Sequence, residues 1–185
     1  FMIPELGHFS LIVATAFAVC LSIIPLIGVY SQNLKLTGYA KPLTFGMFIF
    51  TLISFVILTY SFVQDDFSVK YIAGHSNSFL PYYFKISAVW GGHEGSLLLW
   101  VLALTSWTFA VAKFSKGIEE EFIARVLAVM GMIAVGFMLF TLLTSNPFDR
   151  LWPMVPVEGR DLNPLLQDIG LIIHPPMLYM GYVGF

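Results

Sequence analysis

Long apolar runs alternate with polar links along the chain. No charged residue interrupts positions 6–34, and the apolar part, about His8 to Tyr30, is long enough for a membrane-crossing helix, which needs about 20 residues. A polar link, 31–41, leads to a second run from Pro42 to Val63. Pro42 suits a first helical turn, where its missing N–H has no helical partner in any case. Asp65 and Asp66 close this run, and a polar, aromatic loop continues to about Trp90. A third run covers about 94–112. Lys113, Lys116 and the Glu119-Glu120-Glu121 triplet make a charged turn before a fourth run at about 123–144. Ser145-Asn146-Pro147 stops it, and a loop rich in Pro and Asp extends to Asp168. A fifth run starts near Pro175 and extends to Phe185.

Backbone N–H and C=O groups cannot stay unpaired in lipid, so such runs must be helices or barrel strands. Uninterrupted apolar runs lack the alternation of a barrel. The expected fold is therefore all-α, a polytopic membrane protein with four complete spans and the start of a fifth. Composition agrees. Charged residues make up 11% and hydrophobic ones 58%, with a mean hydropathy of +0.83, where soluble domains carry about 25% charged residues. The net charge of −2 supplies no basic surface for nucleic acid. The single cysteine, Cys20, lies in an apolar run and cannot form an internal disulfide. There is no C-x-x-C-H, so the chain is not itself a c-type cytochrome. No Lys or Arg precedes the first run, which reads as a retained helix rather than a cleaved signal. Phe before Met at the start, and an end inside an apolar segment, suggest a portion of a longer protein.

Orientation follows from Lys and Arg in short loops. Links 31–41 and 113–125 hold Lys35, Lys41, Lys113, Lys116 and Arg125. The longer loops 64–92 and 145–173 hold Lys70, Lys85, Arg150 and Arg160 at lower density. The short links are therefore expected in the cytoplasm, with the N-terminus and the long loops outside, in the periplasm of a bacterium with two membranes. His8, His75, His93 and His174 all then fall on the outer side.

Three segments could carry chemistry. A residue before proline is pushed out of the α region, so His174, ahead of Pro175-Pro176, is expected just before a helix start. The partial positive charge there favours a neutral imidazole that can ligate a metal. Hydrogen bonding to a loop carbonyl is the alternative. Met177 and Met180 are possible soft ligands, or flexible filler. In Trp90-Gly-Gly-His-Glu-Gly-Ser, His93 and Glu94 open a membrane helix, where an ionisable residue is a functional candidate. Being adjacent, they point to different sides. Trp100 and Trp107, nearly on one face, could line a flat ring or mark an interface. The glycines fit close helix packing equally well. Arg160 could pair a carboxylate such as a haem propionate, or Asp161 or Glu158 at the surface. No nucleotide loop, hydrolase triad or evident acid–base pair is present. A transporter would place ionisable groups near the bilayer midplane, and a respiratory subunit holding b-haems would need mid-helix histidines. Neither pattern occurs.

WGGHEGSLLLWVLALTSWTFAVA, ARVLAVMGMIAVGF, TSNPFDR and EGRDLNPLLQDIGLIIHPPMLYMGYVGF closely resemble the CcmF/NrfE haem lyase family, as does MIPELGHFSLI at the start. The resemblance covers the whole chain. It implies a multi-span inner-membrane protein that takes part in attaching haem b to apocytochrome c, receiving haem from a CcmE-like chaperone and working with a CcmH-type subunit. It implies that residues 1–88 are N-terminal helices with an outer loop, and that 89–185 begin the haem-handling domain. It implies that His174 is one axial ligand of the haem iron; Trp90, His93 and Arg160 stand beside it as haem-contact candidates read from the residues themselves. The family's tryptophan-rich segment, its second outer-face histidine and the two histidines of its membrane haem are absent here. The chain is therefore expected to be an N-terminal portion that is inactive in attachment by itself.

Overall fold

The computed structural model describes residues 2–185, apart from the Leu171 side chain. Phe1, noted above for preceding Met2, lies outside the described residues. The helices are α1 (Ile3–Tyr30), α2 (Leu34–Gly38), α3 (Ala40–Val63), α4 (Lys70–His75), α5 (Tyr82–Ala88), α6 (His93–Phe114), α7 (Glu120–Thr144) and α8 (Ile169–Gly184). Among the described residues there is no strand, and a single bridge joins Val69 to Arg150. Four segments are long and apolar enough to cross a membrane: Ile3–Tyr30, Leu34–Val63, His93–Phe114 and Glu120–Thr144. The chain is a multi-pass helical membrane protein.

Helices α1, α3, α6 and α7 close into a four-helix bundle in which each packs against two neighbours, and α8 packs on the outside of α6. The buried positions explain the bundle. In α1 they include Pro4, Gly7, Leu11, Ala14, Ala18, Leu21, Pro25 and Gly28, and in α3 Ala40, Thr44, Met47, Thr51, Ser54, Leu58 and Ser61. Both series alternate steps of three and four, the seam of left-handed helix packing. Many members are small. In lipid, helices associate through close van der Waals packing, which small residues permit. A Cβ on Gly7 would strike the Phe148 ring, and one on Gly28 the backbone of Thr37. Buried hydroxyls are satisfied within their own helices, as where Thr15 donates to the Leu11 oxygen and Thr51 to the Met47 oxygen, both at 2.8 Å.

Two boundaries differ from expectation. The link after α1 contains the short helix α2, capped by the Asn33 side chain. Helix α8 begins at Ile169, not Pro175, with the Asp168 carboxylate accepting from the Gly170 N–H at 2.8 Å. His174 therefore lies inside the second turn rather than ahead of the helix, and Pro175 and Pro176 are interior residues.

Candidate functional site

One end of the bundle gathers the long loops. Residue Arg150 ties three segments there. Its guanidinium donates from Nε and Nη2 to the two Glu5 oxygens at 2.8 Å, a bidentate fork, and reaches Asp66 at 3.4 Å and Ser68. The Lys70 N–H donates to Asp149 at 2.8 Å and the Arg160 N–H to Ala73 at 2.7 Å, so the two long loops are stitched together. Below them Lys85, its side chain 5% exposed, pairs with Asp65 at 2.5 Å.

All four histidines lie at this end, in different states. In α1, Nδ1 of His8 is 3.0 Å from the Asn146 amide, and the ring meets the edge of Phe148. In α4, Nδ1 of His75 is 2.9 Å from the Tyr71 carbonyl oxygen. His93 is exposed and meets Phe140 edge-on, at the mouth of a groove of about 340 Å³ shared with Ser96, Leu97, Trp100, Phe137 and Tyr179. His174 is exposed, and neither ring nitrogen has a hydrogen-bond partner among the described residues.

What places His174 is the contact between α6 and α8. Pro176 has no N–H to offer the Ile172 oxygen, its acceptor four residues back. The indole N–H of Trp90 fills that role at 3.0 Å. Trp100 meets Tyr179 edge-on, and Trp107 donates to the Met180 oxygen at 3.0 Å. The tryptophans thus hold α8 rather than stand open as flat walls. On α8, Ile172, Pro175, Pro176, Tyr179 and Val183 are partly covered, while Ile173, His174, Met177 and Leu178 are exposed.

Arg160 is exposed, and its side chain forms no ion pair among the described residues, so pairing with Asp161 or Glu158 is not seen. Glu158 instead accepts from the Ser78 N–H at 2.9 Å and the Ser78 hydroxyl at 2.6 Å, which hold its carboxyl below the ordinary range. Lys70, His75, Glu94, Glu158 and Arg160 share a cleft of about 690 Å³ between the loops. Nothing in the spacing of Tyr71 marks it, yet its hydroxyl is a hub. It donates to the Val89 oxygen at 2.9 Å and accepts from the Gly92 N–H at 3.0 Å at the start of α6, and burial pushes its pKa far upward. Gly95 is required beside it, because a Cβ there would collide with the Val89 carbonyl oxygen.

The model of the cytochrome C assembly protein family matches residues 90–185. The chain belongs to that family. Over 184 residues it is 59% identical to the cytochrome c-type biogenesis protein CcmF of Pseudomonas aeruginosa and 52% identical to CcmF of Escherichia coli, matching all of this chain and 28% of each relative. It is 50% identical to NrfE of Haemophilus influenzae, again over its whole length and 29% of the relative. The chain thus spans less than a third of the relatives it matches. A solved structure of the cytochrome c haem lyase CcmF shares the fold, with a TM-score of 0.83, 24% identity, and coverage of all of this chain and 28% of that one.

Proposed function

We propose that this chain is the N-terminal part of a cytochrome c haem lyase and presents His174 as one axial ligand to the haem b that is the substrate for attachment. The names of its relatives support the activity. The single observation that supports the site is the His174 ring, exposed on a helix anchored by the Trp90 and Trp107 indoles, with both nitrogens available. A haem iron needs one such lone pair on an accessible imidazole, and His174 fits that need. His75 and His8 have one nitrogen engaged each. Residues outside this chain complete the second axial position.

In this reading Trp90 acts by position, because its N–H fixes the turn of α8 that carries His174. His93 stands at the groove mouth toward the haem edge. Arg160 presents its guanidinium to anionic groups of the substrates, the haem carboxylates among them. The loop end faces the periplasm from the bacterial inner membrane, consistent with the denser basic residues of the short links. A CcmE-like chaperone delivers haem there, and a CcmH-type subunit and apocytochrome c meet it. The division near residue 88 is one of function, since helices from both sides build one bundle.

The protein's own contribution is to bind, orient and hold the iron's ligand field, which is positioning chemistry. In the full-length protein, His174→Ala should abolish cytochrome c maturation in cells that lack the parental gene. Maturation at the parental level would contradict the ligand role.

A further inference from the structure

The cleft between the two long loops has no part in iron ligation, yet its walls are built for chemistry. Glu158 is engaged by Ser78, and the Tyr71 hydroxyl by Val89 and Gly92. His75 is not fully engaged. The Tyr71 carbonyl oxygen can only accept, so Nδ1 of His75 carries the proton and Nε2 carries the lone pair. Nε2 has no hydrogen-bond partner among the described residues. It lies 2.5 Å from where a Cβ of residue 92 would stand, so glycine there lets the ring lie against the start of α6, with His75 on the cleft wall. Lys70 and Arg160 line the same cleft, and their side chains make no ion pair among the described residues. An imidazole acceptor beside two cations is the environment that converts a thiol to a thiolate. The imidazole takes the proton, and the cations stabilise the charge left on sulfur. Glu94, the remaining charged group of the cleft, favours the imidazolium so formed.

We propose that this cleft receives a thiol-bearing peptide segment and that His75 is the base that takes the thiol proton. The inference rests on the haem-attachment reading, which requires cysteine thiols to be made nucleophilic. The S–H bond breaks, the proton passes to Nε2, and sulfur keeps the electron pair. A C–S bond then forms as the π bond of a porphyrin vinyl group breaks, and the imidazolium returns the proton to the other vinyl carbon. No electrons enter or leave, so no oxidant or reductant is needed. The short segment from Trp90 to Gly92 joins the two sites. Gly92 abuts His75, and Trp90 holds α8 next to His174.

Two substitutions separate this role from a structural one. His75→Asn places an amide nitrogen where Nδ1 sits and can keep the bond to Tyr71, whereas His75→Gln places its amide near Nε2. Neither can take a proton. Full-length protein in membranes is given haem and a reduced synthetic peptide containing C-x-x-C-H. Both variants should keep the parental bound-haem spectrum and attach haem at least ~100-fold more slowly. The parental rise of rate with pH should vanish in both. Recovery of rate and pH profile by His75→Asn would overturn the proposal. Lys70→Gln and Arg160→Gln, at exposed positions, should each move the pH midpoint of attachment upward. An unmoved midpoint in both also overturns it. Loss of bound haem in His174→Ala together with normal attachment by His75→Asn would sink the cleft inference alone. Unchanged bound haem in His174→Ala would sink the ligand reading instead.

Discussion

His8 in α1 and His174 in α8 lie at the same end of the molecule and in opposite circumstances. His8 belongs to a bundle helix with neighbours on two sides. Its ring is fastened to Asn146 and packed on Phe148. His174 belongs to a helix attached along one side only, and its ring is free. The backbones differ in the same way. Small residues let α1 lie close to α3 and α7, so contact is made by the whole helix surface. In contrast, α8 is held at points, by indole N–H groups on the Ile172 and Met180 oxygens. Close packing makes a rigid frame, and point attachment leaves one helix face open for a ligand.

The largest test of this contrast is Gly95→Val. Its Cβ would meet the Val89 oxygen, so the start of α6 must shift. We expect a loss of about 3 kcal/mol or more in denaturant-induced unfolding in detergent, as overpacking against backbone leaves little room to relax. Lys85→Ala removes the buried partner of an ion pair whose Asp65 side is partly exposed, and strands Asp65. About 3 kcal/mol should be lost in the same assay. His8→Ala gives up one hydrogen bond and leaves the Asn146 amide unpaired, at a cost of about 1–2 kcal/mol.

A smaller and sharper effect concerns the α6–α8 contact. Trp90→Phe should cost about 1 kcal/mol by leaving the Ile172 oxygen without a donor. Pro176→Ala restores a backbone N–H to that same oxygen. In its background Trp90→Phe should cost clearly less, a coupling of roughly 0.5 kcal/mol or more in a double-mutant cycle. Additive effects would mean that the indole N–H does not replace the missing helical donor.

The smallest effect is one of pH. Glu158 has a lowered pKa because Ser78 donates twice to it. Its bond to the loop therefore contributes fully above the ordinary carboxylate value of 4.5 and is lost as pH falls through the lowered one. Ser78→Ala should move loss of loop protection, followed by hydrogen exchange, to higher pH. An unmoved midpoint would show that Ser78 is not the cause.

The four spans were legible because lipid forces long apolar runs into helices. The chemistry of the loops was not. Helices α4 and α5 are short and mixed in composition, and their positions depend on Arg150, Lys85 and Tyr71, whose partners lie far along the chain. The start of α8 was misplaced because the two prolines outweighed a plainer signal, Asp168 ahead of an apolar run. Proline inside a membrane helix is tolerated when another group satisfies the freed carbonyl, and that group, Trp90, comes from a different element. His174 was singled out by its motif, whereas the packing of the His75 ring against Gly92 had no signal in the spacing.

The most direct measurement compares His174→Ala with His8→Ala in the full-length protein, reading unfolding stability and bound-haem absorbance on the same samples. His174→Ala should leave stability within about 0.5 kcal/mol of the parent, as for other exposed substitutions, and lose the absorbance of the transferred haem while keeping that of the membrane haem. His8→Ala should lose stability and keep the spectrum. An unchanged parental haem spectrum in His174→Ala at parental stability would contradict the claim that the free ring of α8 is the iron ligand.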